Sequence, residues 1–380
     1  MMRINLQNLI AATLLLTATG TVSAQESEEE INIEDVSLEA LLGLELDAGG
    51  MGSFGRVLQG DDDARVFIHG FSVNELRDFR EFETEFFNLI VGGRISDDVL
   101  TEVQVEGAEN GKEISLKYAQ VDVQLLEDKV IARFGKFLAP VGSFNEYLYP
   151  EYLNKMVFPP LSHLTILPRG FTLEGAQVRG QVPMGEHTLN YAVYIANNAV
   201  DAMEAAPEPG EEEEEELSSF ISTATEEGRH RKAVGGRIGM HMFKNMEVGV
   251  SGYLGSFQEQ AKSPLTIIDV DASWHDEHLT LRSEFIYARK SHDGESEDRT
   301  GAFFQAAYRI GDNKIEPAAQ VDFTRGFEED ASNRTTFTGG LNLYPYPQEA
   351  PLLVVKIHEA YSLSDAEDES TTQVQVGLGF

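Results

Sequence analysis

From residue 65 to the C-terminus one pattern recurs: segments of about ten residues in which apolar and polar side chains alternate, set apart by turn-forming residues. Alternation with period two sends successive side chains to opposite faces of a strand, so each segment reads as a strand with one apolar and one polar face. Sixteen can be counted, at 65–73, 83–95, 99–106, 114–125, 129–137, 172–182, 187–196, 232–242, 247–257, 264–274, 278–289, 300–310, 314–325, 334–344, 352–361 and 371–380. No segment after the N-terminal region has the length of predominantly apolar sequence that a transmembrane helix needs, so any membrane crossing must be made by strands.

The connections carry as much information. Every second one is a short turn, such as Ser96-Asp97-Asp98, Glu127-Asp128, Lys244-Asn245 and Gly311-Asp312-Asn313, while the intervening ones are longer and hold the glycines, acids and low-complexity sequence. Short turns at one end and long loops at the other are the asymmetry of a membrane barrel, and a soluble sandwich has no reason to keep it. In lipid every backbone donor and acceptor needs an internal partner, so the sheet is expected to close on itself. The expected fold is all-β: a transmembrane antiparallel β-barrel of about 16 strands over 65–380, with a short N-terminal helical extension.

Facing follows from the alternation. In 264–274 the outward set is Ile268, Val270, Ala272 and Trp274, and Asp269, Asp271 and Ser273 look inward; carboxylates at that depth are tolerable only in a wet lumen. In 300–310, Ala302, Phe304, Ala306, Tyr308 and Ile310 face outward and Gln305 and Arg309 inward. Aromatics gather at strand ends, with Phe243, Trp274, Tyr308, Tyr344 and Phe380 at the short-turn end and Phe87, Phe257, Tyr287, Phe323 and Tyr361 at the other, as two interfacial girdles require.

Arg3, the apolar run from Leu9 to Leu16 and the small residues Val22-Ser23-Ala24 form an export signal over 1–24, with the mature chain expected to start at Gln25. Residues 25–64 then precede the barrel as a periplasmic extension. Within it Val36, Leu38, Leu41, Leu42 and Leu44 lie on a helical stripe with Ser37 as a cap, which reads either as a periplasmic contact helix or lumen stopper, or as a loosely held amphipathic segment. The chain has no cysteine, which excludes a disulfide framework and a lipoprotein anchor. Its 64 acidic residues against 29 basic ones repel polyanions, so no nucleic acid is expected as a partner.

The last residues, Thr371 to Phe380, alternate up to a chain-terminal aromatic and so resemble the closing strand of bacterial outer-membrane β-barrels. The stretch Arg133 to Tyr147, R-F-G-K-F-L-A-P-V-G-S-F-N-E-Y, preceded by Leu116-Lys117-Tyr118-Ala119-Gln120-Val121 and followed by Arg169-Gly170-Phe171, resembles the phosphate-selective porin O/P family. That resemblance implies an outer-membrane diffusion channel, associated with lipid and lipopolysaccharide and assembled as a homotrimer. It also implies that the long connection 138–171 after the fifth strand folds into the lumen as a constriction loop, with Lys136, Glu146, Glu151, Lys155 and Arg169 near the eyelet. The competing reading is an external cap packed through Tyr147, Tyr149, Tyr152 and Phe158.

In the family, anion selectivity comes from clustered arginines and a ladder of lysines, and here the sequence departs from it. The expected inward cations are Arg133, Arg179, Arg237, Arg282, Arg309 and Lys356, against inward Glu102, Asp122, Glu247, Asp269, Asp271, Glu284, Glu316 and Asp322. Such a wall does not concentrate phosphate. The expectation is a passive pore for small hydrophilic solutes or ions; the alternatives are a phosphate- or pyrophosphate-selective anion channel and a non-conducting surface-binding barrel. The second long connection, 197–231, holds the run Glu211 to Glu216, which reads as a flexible acidic external loop or a surface that bridges lipopolysaccharide through divalent cations. Nine scattered histidines, no metal-ligand spacing and no nucleophile elbow give no catalytic constellation, so no enzyme activity, cofactor or metal site is expected.

Overall fold

In the computed structural model the described residues are 66–77, 81–108, 113–126, 128–148, 153–201, 220–222, 231–243, 245–256, 264–292, 295–311, 314–326, 333–346, 353–364 and 369–379. The extension 25–64, Glu151, the acidic run 211–216, Phe257 and Phe380 lie outside them. The first half of the wall is β1 (Val66–Arg77), β2 (Glu81–Ser96), β3 (Val99–Ala108), β4 (Glu113–Leu126), β5 (Val130–Leu138), β6 (Thr172–Met184) and β7 (His187–Asn197). Two short strands, β8 (Val200–Asp201) and β9 (Ile221–Ser222), pair with each other. The wall resumes with β10 (Lys232–Met242), β11 (Met246–Ser256), β12 (Pro264–His275), β13 (Leu279–His292) and β14 (Glu295–Tyr308). It ends with β15 (Ile315–Arg325), β16 (Arg334–Leu343), β17 (Leu353–Ser364) and β18 (Glu369–Gly379).

Sixteen strands form one closed antiparallel barrel, in which each pairs with its sequence neighbours and β18 closes on β1 with Phe71 opposite Gly379 and Arg77 opposite Gln373. Closure leaves no edge, so every strand of the barrel finds two hydrogen-bonding neighbours. Polarity is inverted relative to a protein built for water. On β12, Ile268 and Val270 are 46% and 50% exposed on the outside, whereas Asp269 and Asp271 between them are 0% and 2% exposed inside. Phe304, Tyr308 and Ile310 likewise face out, and Gln305 and Arg309 are buried within.

Turns at the end where β1 begins are short. At one of them Asp276 accepts the backbone N–H groups of His278 and Leu279 at 3.0 and 2.8 Å. These bonds, that from Leu279 foremost, hold its carboxyl below the usual carboxylate range. At the opposite end the strands run further than the alternation suggests. Pairing of β13 with β14 continues to His292 opposite Glu295, with only 293–294 between them, so this connection is no longer than a turn. Of the girdle aromatics, Phe243, Tyr308, Phe87, Phe323 and Tyr361 are exposed on the outer face. Tyr344 is a correction. It follows inward-facing Asn342 by two residues, so its ring turns into the lumen and its hydroxyl donates to Glu316 at 3.1 Å.

Candidate functional site: the barrel lumen

The inside of the wall is lined by charge. Among the described residues eleven carboxylates are buried against seven lysine and arginine side chains, and they include every inward charge read from the alternation. Most cations are tied to neighbouring strands. Arg133 on β5 grips Asp122 on β4 with two bonds of 2.7 Å, the fork geometry that makes an Arg–carboxylate pair strong. Arg237 on β10 donates to Asp271 at 3.1 and 2.6 Å and to Glu247 at 3.0 Å, and Arg309 donates to Glu316 at 2.9 Å. Asp269 is buried beside Asp271 and Glu284 in the same group of inward carboxylates. Among the buried side chains of the described residues, carboxylates therefore outnumber lysines and arginines.

Between β5 and β6 the chain runs through a positive-φ turn at Gly142 (φ 68°), a π-helical turn at Phe144–Leu148 and a short helix α1 (Leu161–Leu164). Its neck is clasped by Asn145, whose amide donates to the carbonyls of Ala139 and Phe171 at 2.8 and 2.9 Å and accepts the Phe171 N–H at 2.8 Å. From there the segment is hydrogen-bonded to inward-facing residues around much of the wall. Gly142 N–H donates to Ser251 on β11 at 2.9 Å, and Phe144 N–H to Glu284 on β13 at 3.0 Å. His163 Nδ1 lies 2.9 Å from the other Glu284 oxygen, and Ser162 donates to Asp322 on β15 at 3.1 Å.

Further along, Lys356 on β17 donates to the Asn154 carbonyl at 2.8 Å, and Asn342 on β16 to the Lys155 carbonyl at 2.8 Å. Val157 N–H reaches His358 Nδ1 at 3.2 Å; because that nitrogen accepts, the proton sits on Nε2, 2.9 Å from the side-chain Oδ1 of Asn342. Gly301 on β14 makes room for α1, since a Cβ there would overlap the Ser162 carbonyl. Ile166, Leu167 and Phe171 from the segment pack with Phe137, Tyr194, Tyr253, Ile267 and Ile286 into the largest apolar cluster, which Phe220 from the second long connection joins.

The expected site residues divide clearly. Glu146 pairs with Arg179 at 3.0 Å, Lys155 lies 3.6 Å from Glu316, and Arg282 donates to the Leu153 carbonyl at 3.4 Å, so these belong to the contact between segment and wall. Arg169 lies over the Phe86 ring, 4.1 Å from its centroid. Lys136 is a correction. Arg133 and Phe137 face inward, so Lys136 has the opposite parity and points to the outer face, where it donates to the Leu116 carbonyl at 2.7 Å. Burial foremost pushes the Tyr147 hydroxyl up, so the ring stays neutral beside Arg237, 5.7 Å away. Asn145, Asn154, His163 and Asn342 were not singled out from the sequence; the only local sign is an asparagine set between Phe144 and Tyr147.

Asn145 gives a direct prediction. Asn145→Ala loses two donated bonds and one accepted bond in a buried neck, so it should destabilise the folded form by roughly 2–3 kcal/mol at about 1 kcal/mol per bond. Urea unfolding in detergent, followed by Trp274 fluorescence, measures this; an unchanged midpoint would remove the clasp from the account.

No protein-family model and no curated protein matches the chain. Solved structures do. An anion-selective porin from Comamonas acidovorans aligns with a TM-score of 0.53 at 13% identity, over 83% of this chain and 98% of that one. OmpF of Salmonella typhi, in complex with daunomycin, aligns with a TM-score of 0.54 at 10% identity, over 83% and 97%. In-vitro folded OmpT, an outer-membrane protein of Vibrio cholerae in a trimer form, aligns at 0.53 and 9% identity, over 83% and 99%. At such identities the likeness is one of fold: this chain shares the barrel of outer-membrane porins.

Proposed function

We propose that the chain is an outer-membrane porin, exported by its leader, through which small hydrophilic solutes or ions diffuse passively, with a preference for cations. The observation that carries this reading is the pairing of an apolar exterior with an interior lined by charge. An exposed apolar belt on a closed sheet is stable against hydrocarbon, and buried charges at that depth need water or each other. The segment 138–171 is the constriction loop in this reading, and Arg133, Glu146, Lys155, Arg169, Arg179, Arg237, Arg282 and Arg309 line the eyelet together with Asp122, Glu247, Asp271 and Glu316, the carboxylates paired with several of them. Mechanism then resides in radius and lining field, since a low-dielectric channel concentrates ions opposite in sign to its wall.

The phosphate-selective alternative is disfavoured by the same geometry. Anion capture needs arginines whose forks point at the solute, and those of Arg133, Arg237 and Arg309 are engaged by carboxylates. The barrel fold shared with a trimeric outer-membrane protein supports a homotrimer, seated in lipid and lipopolysaccharide.

Planar-bilayer recording of the purified mature chain tests the reading. Stepwise currents linear in voltage are expected, with a reversal potential under a salt gradient displaced toward the cation's. Preference for chloride, with block by phosphate, would favour the anion channel, and absence of any step would leave only a surface-binding barrel.

A further inference from the structure

Stretches far apart in sequence meet at one carbonyl. Thr165 caps the C-terminal end of α1, and its carbonyl oxygen is among those that a helix end leaves without an internal partner. That oxygen accepts Nη1 of Arg299 on β14 at 2.9 Å and the N–H of Phe220 at 3.1 Å, so both of its lone pairs are used. Arg299 stands 134 residues from Thr165 in the chain, and Phe220 immediately precedes β9 in the second long connection.

The ring of Phe220 is held from the wall as well. Lys290 Nζ lies 4.3 Å and the Arg299 guanidinium carbon 4.8 Å from its centroid, within the range where a cation is attracted to an aromatic face. Lys290 continues the inward set Glu284, Ile286 and Ala288 along β13, and Arg299 lies opposite Ala288 across the ladder. Glu297 meets Lys290 at 3.1 Å and Arg299 at 3.4 Å, so one carboxylate steadies both cations against the ring. Phe220 also joins the apolar cluster that holds Ile166 and Leu167 of the segment with Ile286 and Ala288 of β13.

The far end of this tie is anchored independently. β8 and β9 pair with Val200 opposite Ser222 and Asp201 opposite Ile221. Just ahead of β8, the Ala199 N–H donates to the Tyr253 hydroxyl on β11 at 2.8 Å, and Asn198 Oδ1 accepts the Ser256 N–H at 3.2 Å. The foot of 197–231 is thus fastened to β11, and from it Phe220 reaches to α1 past the cations of β13 and β14. Ser162 and His163 fasten α1 to Asp322 and Glu284, so Phe220 acts on the exit of that turn, where the chain passes to Ile166 and Leu167.

We propose that Phe220 is a positioning residue for the constriction: through it the foot of the second long connection holds the C-terminal end of α1, and a shift of that foot is passed to the segment 139–171. The tie itself stands on the contacts; only its effect on current rests on the channel reading.

The chain has no cysteine, so Thr165→Cys, which keeps the backbone carbonyl, gives a single reporter on the tie. Its labelling by a water-soluble maleimide is followed in the full chain in detergent, alone and combined with Phe220→Ala, Phe220→Leu or Phe220→Tyr. Phe220→Ala should speed labelling roughly tenfold or more, the equivalent of losing one partly desolvated cation–π contact. Phe220→Tyr keeps the ring face and should label at the rate of the reporter alone. Phe220→Leu keeps apolar bulk without a face and should fall between; it carries the test if Phe220→Ala does not assemble. An unchanged rate in Phe220→Ala would overturn the tie, and a leucine variant as slow as the reporter alone would overturn the role of the two cations. Faster labelling together with a lowered urea midpoint, read by Trp274 fluorescence, would mean that Phe220 supports the whole wall and has no specific hold on α1. In planar bilayers the open-channel noise of Phe220→Ala should rise. Parent-like current despite faster labelling would overturn the link to the constriction, whereas channels silent in every form would sink the porin reading and leave the tie to the labelling rates.

Discussion

Replacing Arg237 with methionine is expected to destabilise the barrel by about 3–5 kcal/mol, the usual cost of removing one partner from a buried charge cluster. The side chain is 3% exposed and holds Asp271 and Glu247 at once, from β10 to carboxylates on β11 and β12. Asp269 lies two residues from Asp271 on the same strand face and also feels the Arg237 charge, so removing the guanidinium leaves three carboxylates in one enclosed region without their principal cation. Methionine keeps much of the volume, so the loss reports charge rather than a cavity. Arg237→Lys should recover part of it, since a point charge cannot reproduce a fork that serves two carboxylates. The check is urea unfolding of the three proteins in the same detergent. A methionine variant within about 1 kcal/mol of the parent would mean that water screens the cluster and the lumen is wetter there than burial implies. The double variant Arg237→Met/Asp271→Asn should be less destabilised than the single one, because the orphaned carboxylate is then gone.

The strands were legible because lipid and lumen impose opposite demands on alternate residues, and the alternation fails where that contrast ends. Beyond Arg289 the partners on β13 and β14 are Lys290 with Glu297 and Ser291 with Ser296, polar on both faces, yet the backbone pairing continues. A hairpin in water on both sides carries no period-two signal, which is why its tip read as loop. Parity alone decides Lys136: with Arg133 facing inward, a residue three positions on must face outward. Inward charges were readable one strand at a time, but their partners were not. Asn342 meets the Lys155 carbonyl 187 residues away, and Lys356 meets the Asn154 carbonyl 202 away. No local rule links such positions; only closure of the barrel and entry of the segment bring them together. The short strands β8 and β9, two residues each, are below what periodicity can detect.

Glu284 holds the segment at more than one point, so Glu284→Ala should release it. One carboxylate there accepts the Phe144 N–H at 3.0 Å, meets His163 Nδ1 at 2.9 Å and accepts the Ser143 hydroxyl at 3.4 Å, joining both arms of 139–171 to β13. Hydrogen bonds to a charged group contribute about 1.5–3 kcal/mol each, so losing the two short ones shifts the docked–detached equilibrium by roughly 3–6 kcal/mol, a factor of about a hundred or more. Gly142 acts in the same place: a Cβ there would meet the Glu284 carboxyl, so the positive-φ glycine lets the turn lie against it. Two measurements separate release from general unfolding. Limited proteolysis of detergent-solubilised protein should cut the variant within 139–171 while the sixteen-stranded wall stays intact, and single-channel currents should become noisier and larger as the segment leaves the lumen. Glu359→Ala on β17, whose carboxylate is exposed on the outer face and bonded to Ser370, should change neither. If Glu284→Ala conducts and resists protease like the parent, the segment is held by its apolar packing against Tyr253, Ile267 and Ile286, and the carboxylate serves the charge of the lumen rather than the position of the loop.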